Sequence, residues 1–294
     1  MKTALLVLAL GASVSALQAQ TYVMGVASTN DAVHLFDANN GSLVQAGFID
    51  LLAVGASTPI HAMQVGQQIW VSDQLTDSIF RFDLSGSHLG TIGNSGLDNI
   101  KGMEVVGNSV WVTNAGSNNG APGDSIVFID AASYSITGSV ATNGSLFDLM
   151  HFNGQIMGSN ITQENLELYD LSGNLVGTFH DSDGINGIDF PEQLARRANG
   201  NVLVAGFSPP SGVYEYDQFG NDLGIVAGLD AGARGVIELG NGSIMWTNGA
   251  GFWVGSDLVF DGGSGRYLSL LTVPTPGALG VLGVVGLVGV RRRR

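Results

Sequence analysis

"IHAMQVGQQIWVSDQLTDSIFRFDLSGSHLGTI", residues 60–92, contains the pattern that decides the fold. Its apolar residues fall into four short segments, at about 60–65, 68–73, 78–83 and 88–92. Gly, Gln, Asp and Ser separate these segments, and residues of this kind suit the tight turns of β-hairpins. The segment Ile69-Trp70-Val71 is continuously apolar, as expected for a strand covered on both faces. The stretch therefore predicts four antiparallel strands that are sandwiched between neighbouring layers.

The same pattern recurs along the chain. In each copy an apolar or aromatic segment is followed by an aspartate, a short turn and a second apolar segment. The aspartates are Asp37, Asp83, Asp130, Asp170, Asp217 and Asp261, at spacings of 46, 47, 40, 47 and 44 residues. A repeat of about 45 residues is the length of one four-stranded propeller blade. The sequence predicts an all-β chain that forms a six-bladed β-propeller.

The two ends of the repeat region are complementary. The first copy begins at Thr21 and has no room for an innermost strand, whereas a spare apolar segment, 266–273, follows the last copy. We expect this segment to complete the first blade and close the ring. Closure removes the exposed strand edges that would otherwise promote aggregation.

The repeats resemble those of the NHL and gluconolactonase-like superfamily of six-bladed propellers. The segments "NGNVLVAGF" (199–207) and "GVYEYDQFGNDLG" (212–224) carry its pattern of Gly-Asn, apolar strand, second apolar strand, aspartate and glycine. The resemblance implies a fold and not an activity, because this fold supports many functions.

The first residues, "MKTALLVLALGASVSALQAQ", place Lys2 before an apolar run that ends in small residues. This order is typical of a secretory signal peptide. The chain contains no cysteine, so the exported domain would be stabilised by packing and strand pairing alone. We predict a signal peptide at 1–19, the propeller at 20–273 and a separate tail at 274–294.

The tail, "PTPGALGVLGVVGLVGVRRRR", combines two prolines, an uncharged run and a basic cluster. As a helix, the run 277–290 would measure about 21 Å, which is short for a hydrocarbon core of about 30 Å. The arginines would remain on the cytoplasmic side of a membrane. The tail resembles the PEP-CTERM sorting signal, and the resemblance rests on Pro274, Thr275, Pro276, Arg291, Arg292, Arg293 and Arg294.

This resemblance implies export to the cell envelope or beyond, attachment to the membrane through the tail, and processing by an exosortase-type enzyme. Thr275 occupies the position where the family has glutamate. A plain C-terminal membrane anchor is the alternative interpretation of the same residues.

Charge excludes one class of partner. Residues 21–273 contain 25 acidic and 6 basic residues, a net charge of −19. A domain this negative repels phosphate backbones, which argues against nucleic acid as a partner. An extracellular polysaccharide or protein remains a candidate partner, and the simplest interpretation of the charge is that it keeps an exported protein soluble.

Candidate ligand residues lie where the innermost strands begin. Aligning these strands places one polar residue from each of five blades at one mouth of the channel: His61, Lys101, Asp148, Glu192 and Arg234. Convergent cations could bind an anion or a carboxylate, although ordinary polar caps on loops are the simpler interpretation. The repeated aspartates are interpreted as turn stabilisers, whose carboxylates accept main-chain N–H groups.

One acidic segment has spacing that suggests calcium. In "HDSDGINGIDFPE" (180–192), the residues at loop positions 1, 3, 9 and 12 are Asp181, Asp183, Asp189 and Glu192. An EF-hand loop has a ligand at position 5 and glycine at position 6, where this chain has Ile185 and Asn186. A calcium loop and a solvated acidic turn are both compatible with the segment, and the second is favoured.

Sequence signatures of catalysis are sparse. The chain has no thiolate ligands, no G-x-S-x-G elbow and no phosphate-binding loop. Lactonase-type propellers hold a metal with Glu, Asn and Asp, but this set cannot be assigned here residue by residue. We therefore expect an exported, non-catalytic binding module. The alternatives are a divergent, metal-dependent, lactonase-like hydrolase or lyase with its site at the channel mouth, and a structural matrix protein without a defined ligand.

Overall fold

The computed structural model describes residues 19–182 and 187–274. These residues form six four-stranded sheets, each of which is one blade of a propeller. The prediction of an all-β, six-bladed propeller is confirmed. For the quoted stretch, the strands are found at Pro59–Val65, Gln68–Asp73, Ser78–Asp83 and His88–Ile92, almost at the predicted positions.

The strands are numbered in chain order. Blade 1 contains β1 (Gln20–Ala27), β2 (Ala32–Asp37), β3 (Leu43–Asp50) and β24 (Gly265–Val273). Blade 2 contains β4 (Pro59–Val65), β5 (Gln68–Asp73), β6 (Ser78–Asp83) and β7 (His88–Ile92). Blade 3 contains β8 (Ile100–Val106), β9 (Ser109–Asn114), β10 (Ser125–Asp130) and β11 (Ile136–Ala141). One turn of 3₁₀ helix, Leu52–Val54, precedes blade 2.

The second half of the ring repeats this arrangement. Blade 4 contains β12 (Leu146–Phe152), β13 (Gln155–Asn160), β14 (Asn165–Tyr169) and β15 (Leu175–Asp181). Blade 5 contains β16 (Asp189–Arg196), β17 (Val202–Ser208), β18 (Gly212–Tyr216) and β19 (Asp222–Ala227). Blade 6 contains β20 (Gly235–Glu238), β21 (Ile244–Asn248), β22 (Gly251–Val254) and β23 (Asp257–Phe260).

Blade 1 is built from both ends of the repeat region. Its strand order is β24-β1-β2-β3, so the last strand takes the innermost position that the first copy lacks. The N–H of Ser28 donates to the carbonyl of Ser264 at 2.9 Å, and the N–H of Ser264 donates to Oγ1 of Thr29 at 2.8 Å. The predicted closure of the ring is confirmed.

The core lies between successive blades. Between blades 2 and 3, Trp70, Ile79, Met103, Val110 and Val127 belong to one buried cluster. Similar clusters join blades 3 and 4, 4 and 5, 5 and 6, and 6 and 1, because the middle strands are covered on both faces. This burial explains why the middle strands are continuously apolar.

The repeated aspartates stabilise turns, as predicted. At five of the six positions the carboxylate accepts main-chain N–H groups from residues two to four positions later; these are Asp37, Asp83, Asp130, Asp170 and Asp217. At Asp261 the main-chain carbonyl accepts the N–H of Gly263 at 2.8 Å. The predicted turn-stabilising role of the carboxylates is therefore confirmed at five of the six positions.

Both predicted export signals lie almost entirely outside the described residues. Of the signal peptide 1–19 only Ala19 is described, and of the sorting signal only Pro274. In the described part of the chain, no helix is long and apolar enough to cross a membrane, and the run 277–290 is not part of it. The signal peptide, the short apolar helix of the tail and the PEP-CTERM interpretation stay predictions.

Candidate functional site

The axis of the propeller is lined by the first strand of each blade, namely β24, β4, β8, β12, β16 and β20. In blades 2 to 5 this strand contains a β-bulge opposite the second strand. In a β-bulge, two consecutive residues of one strand lie opposite a single residue of the neighbouring strand. The inner strands therefore present two adjacent layers of residues to the axis. We call them the mouth layer, near the strand starts, and the waist layer, one residue further on.

The mouth layer consists of Lys101, Phe147, Glu192, Arg234 and Arg266. Four of these residues share a main-chain contact, because their carbonyls accept a hydroxyl from the preceding blade. Ser72 donates to Lys101 at 2.5 Å, Thr113 to Phe147 at 3.4 Å, Ser159 to Glu192 at 2.6 Å and Thr247 to Arg266 at 2.7 Å. The carbonyl of Arg234 instead accepts the N–H of Gln193 at 3.3 Å. This repeated bond fixes the register between blades.

The waist layer consists of His61, Gly102, Asp148, Gln193, Gly235 and Tyr267. Its polar side chains accept main-chain N–H groups from other inner strands. His61 Nδ1 accepts from Met103 at 3.1 Å, and Asp148 Oδ2 accepts from Leu194 at 3.0 Å. Gln193 Oε1 accepts from Val236 and from Leu268, each at 2.9 Å. These residues tie the inner strands into a ring.

Tyr267 crosses the axis at the waist. Its hydroxyl, which originates on blade 1, donates to the carbonyl of Phe147 on blade 4 at 3.1 Å. Blades 1 and 4 are opposite each other in a six-membered ring. The ring of Tyr267 also meets His61 edge-on, at 5.6 Å between centroids, and Tyr267 is 1% exposed. The waist therefore separates an N-terminal mouth, where the inner strands begin, from a C-terminal mouth, where they end.

At the N-terminal mouth, three cations surround one buried acid. Burial raises the pKa of Glu192 to about 7, although Arg266, Arg234 and Lys101 favour its ionised form. Burial likewise lowers the pKa of Lys101 to about 8, against the influence of Asp124, Glu192 and Asp98. The chain has only 6 basic residues between 21 and 273, and half of them lie in this layer.

These cations are not neutralised by close ion pairs. Within residues 19–182 and 187–274, a basic side-chain nitrogen lies within 4.0 Å of a carboxylate oxygen in three pairs only: Arg197 with Glu215, Arg197 with Glu238, and His151 with Glu104. The mouth cations donate to neutral oxygens instead. Lys101 Nζ donates to the carbonyl of Asn99 at 3.1 Å, and Arg234 Nη1 donates to Ser264 Oγ at 3.2 Å. Nε of Arg234 is buried without a hydrogen-bond partner.

Aromatic rings connect two of these cations. Lys101 Nζ lies 4.4 Å from the ring centre of Phe147, and Arg234 Cζ lies 4.8 Å from that of Phe207. Phe190 bridges the two rings, with centroid distances of 4.9 Å to Phe147 and 5.7 Å to Phe207. These three phenylalanine rings give the N-terminal mouth an apolar wall beside its positive charge.

The C-terminal mouth holds a cavity of about 530 Å³. Its polar lining includes His61 and Asp148 from the waist and Glu104 from β8, while Met63 and Met150 contribute apolar surface. Burial lowers the pKa of His61 to about 4, so its imidazole is neutral at pH 7. Burial raises the pKa of Glu104 to about 7.

The structure divides the five predicted mouth residues between two layers. Lys101, Glu192 and Arg234 come together in the mouth layer, whereas His61 and Asp148 belong to the waist and line the opposite cavity. The alignment of inner strands was offset by one residue at these two positions, because the bulges cannot be recognised in a single sequence. The five residues thus lie in two layers and not in one ring, and their role in ligand binding stays a prediction.

Three of the four residues proposed for calcium lie on two strands that are consecutive in the chain, β15 and β16. Asp181 ends β15, Asp189 begins β16, and Glu192 lies on the axis beside the cations. Asp183 is outside the described residues. Within the ranges that the structure does describe, no three His, Asp or Glu side chains are grouped so as to hold a metal ion. The calcium loop stays a prediction.

Sequence reasoning missed several residues of the axis: Glu104, Gln193, Arg266 and Tyr267. Arg266 and Tyr267 were detectable, because aligning "GRYL" (265–268) with "ARGV" (233–236) brings Arg266 onto Arg234. Glu104 and Gln193 carry no signal of their own in the sequence, since their importance follows from burial.

Comparison with known proteins supports the fold. No family model and no curated protein matches the chain. A chain in a nidogen/laminin complex has a TM-score of 0.64 at 12% identity, covering 85% of this chain and 98% of that one. A protein of unknown function from Bacteroides caccae has a TM-score of 0.58 at 12% identity, covering 86% of this chain and 99% of that one.

An enzyme is also among the similar structures. A catalytically inactive virginiamycin B lyase from Staphylococcus aureus, crystallised with quinupristin, has a TM-score of 0.53 at 12% identity, covering 88% of this chain and 76% of that one. At such identities the likeness shows the fold and not the activity. The chain has the six-bladed propeller fold, and a chain of a nidogen/laminin complex and virginiamycin B lyase are among its structural neighbours.

Proposed function

We propose that this protein is an exported, non-catalytic binding module whose N-terminal mouth takes a carboxylate group of an extracellular polysaccharide or protein. The observation that carries the proposal is the mouth layer, in which Lys101, Arg234 and Arg266 influence Glu192 without a close ion pair. Charged groups out of water are costly unless they are paired. A ligand carboxylate would supply the missing pair.

The remaining features agree with a carboxylate rather than a polyanion. Residues 21–273 carry a net charge of −19, so a polymer with many negative charges is repelled at long range. A single carboxylate on a neutral or apolar body meets the three cations locally. Phe147, Phe190 and Phe207 offer the apolar wall for such a body.

Export and sorting belong to the same proposal. Support comes from the signal-peptide pattern at 1–19 and from the Pro-Thr-Pro, apolar and arginine order at 274–294. In this proposal an exosortase-type enzyme processes the tail, and the propeller works at the cell envelope or outside the cell. Intact-mass measurement of the exported protein tests this part, since retention of both terminal segments would contradict it.

The binding experiment compares matched ligands by isothermal titration calorimetry. Galacturonate is compared with galactose, and an acetylated peptide with a free C-terminal carboxylate is compared with its amide. We expect Arg234→Gln and Lys101→Met to weaken carboxylate binding about tenfold, equivalent to about 1.4 kcal/mol. Glu192→Gln should strengthen binding, because it removes the internal carboxylate that competes for the cations. Arg196→Gln, at the other mouth, is the control.

Two results would refute the binding proposal. One is equal affinity for the charged and uncharged members of each pair. The other is the same loss of affinity in Arg196→Gln as in Arg234→Gln. The relative strength of the galacturonate and peptide arms distinguishes a polysaccharide from a protein partner.

A divergent lyase or hydrolase is the alternative function. It is favoured by two neighbouring groups with shifted pKa values, Glu192 at about 7 and Lys101 at about 8, since such groups are frequent at catalytic sites. The likeness to virginiamycin B lyase also agrees with it. A screen of lactones, glycans and phosphoesters tests it. Turnover that is abolished by Glu192→Gln or Asp148→Asn would establish an enzyme and overturn the non-catalytic proposal.

A further inference from the structure

The C-terminal mouth contains a buried acid whose bonding is incomplete. Asp148 is 2% exposed and uses Oδ2 to accept the N–H of Leu194, while its Oδ1 has no hydrogen-bond partner. The residue lines the cavity of about 530 Å³. A buried carboxylate oxygen without a partner is costly. A ligand that donates to this oxygen would remove the cost.

A second acid faces the same cavity. Glu104 also lines it, and the pKa of Asp148 is raised well above its usual range by burial and, to a smaller extent, by the nearby charges of Glu104 and Glu192. The side chain of Glu104 is 24% exposed, so it lies nearer to solvent than Asp148. Burial of these two neighbouring carboxyl groups favours their protonated forms, and a bound cation would offset this by favouring the ionised forms.

Nearby basic side chains already have partners. Arg197 contacts Glu215 at 2.8 Å and Glu238 at 2.7 Å. Arg196 donates to Asn153 Oδ1 at 2.8 Å and lies over the ring of Phe152. His151 Nε2 is 2.8 Å from the carbonyl of Val105 and 3.8 Å from Glu104 Oε1. These groups leave Asp148 Oδ1 without a protein cation.

The apolar part of the lining defines the rest of the ligand. Met63, Leu149, Met150 and Leu268 line the cavity beside the two acids. An aliphatic stem packs against such side chains, and the flexible thioethers of methionine adapt to its shape. The volume is within the range of about 300–1,000 Å³ typical of small-ligand sites.

We propose that the C-terminal mouth binds a protonated primary amine on an aliphatic stem, with the ammonium group donating to Asp148 Oδ1 and Glu104. This site is separate from the carboxylate site, because Tyr267 and the waist layer lie between them. A lysine side chain and a free aliphatic diamine share the required chemistry.

Calorimetric titration of the purified protein tests the site. The probes are 1,5-diaminopentane, a lysine-containing peptide and pentylamine, with 1-pentanol as the uncharged control. We expect all three amines to bind more tightly than the alcohol. Stronger binding of the peptide or of the diamine identifies the source of the amine.

Matched variants locate the binding. Glu104→Gln and Asp148→Asn should each weaken amine binding about tenfold or more. Glu164→Gln, in the turn between β13 and β14 and outside both mouths, is the matched control and should change amine binding less than about twofold. Should Asp148→Asn fail to fold, the comparison of Glu104→Gln with Glu164→Gln decides. Equal binding of pentylamine and 1-pentanol, absence of binding by every amine, or equal effects of Glu104→Gln and Glu164→Gln would overturn the proposal. None of these outcomes depends on carboxylate binding at the N-terminal mouth.

Discussion

Gly102 offers a direct test of how tightly the inner strands are closed around the axis. A Cβ at this position would lie 2.4 Å from Asp148 Oδ1, 2.6 Å from Asp148 Cα and 2.7 Å from the carbonyl oxygen of Phe147. Two of these atoms are main chain, so a side-chain rotation cannot relieve the overlap. The strand β12 cannot move away freely, because it contacts both β8 and β16.

The expected cost of Gly102→Ala follows from these contacts. Overpacking costs about 1–3 kcal/mol, and main-chain overlap places this case at the upper end. Against this, replacing glycine lowers the entropy of the unfolded chain by about 0.4–1 kcal/mol. We expect a net loss of about 2–3 kcal/mol in the free energy of unfolding, which corresponds to a fall of roughly 4–12 °C in Tm for a domain of this size.

Gly177→Ala is the matched control. Gly177 also lies in a strand, but its added Cβ meets no heavy atom within 4 Å. Urea unfolding followed by circular dichroism gives the midpoint and the slope for both variants. The urea midpoint of Gly177→Ala should equal that of the wild type or exceed it slightly. If Gly102→Ala unfolds at the same urea concentration as Gly177→Ala, the closely packed ring of inner strands is refuted.

Two further predictions concern the axis. Gln193→Leu leaves the N–H groups of Val236 and Leu268 and the carbonyl of Leu268 without their side-chain partner. At about 1–3 kcal/mol per buried group, we expect the free energy of unfolding to fall by about 3–5 kcal/mol. The control Gln163→Leu, at an exposed position, should lower it by less than about 0.5 kcal/mol, and equal urea midpoints for the two variants would contradict the bridging role of Gln193. The pKa of Glu192 is raised from 4.5 to about 7 by burial, so its stabilising contribution is complete below about pH 4.5 and is lost as the pH rises through about 7. The free energy of unfolding of Glu192→Gln, relative to that of the wild type, should therefore rise by about 2–3 kcal/mol between pH 5 and pH 8. If the difference in unfolding free energy between the two proteins is constant across that range, the raised pKa is contradicted.

The sequence predicted the architecture because the architecture is local and repeated. The segment around Trp70 defines four strands by its apolar runs and turns, and the spacing of the six aspartates counts the blades. Closure of blade 1 was predictable from Thr21 and the spare segment 266–273. These features depend on patterns that extend over many residues and tolerate small errors of alignment.

The site was less predictable because it depends on single-residue register. The β-bulges in the inner strands assign Lys101 and Glu192 to one layer and His61 and Asp148 to the next. A one-residue error in a strand moves a side chain to a different environment. The role of Tyr267 was inaccessible for another reason, since its partner, Phe147, lies 120 positions away on the opposite blade.

Joining β24 to β1 also determines the order in which the molecule can be completed. Blade 1 needs Gly265–Val273, so it cannot form until synthesis has passed nearly the whole propeller, while blades 2 to 6 are each continuous in the chain. A nascent chain would thus hold β1 with an unsatisfied edge, available to other strands, until the final segment arrives. Loss of that segment would leave β1 with a free edge that favours self-association, so the ring closes only once the last strand is in place.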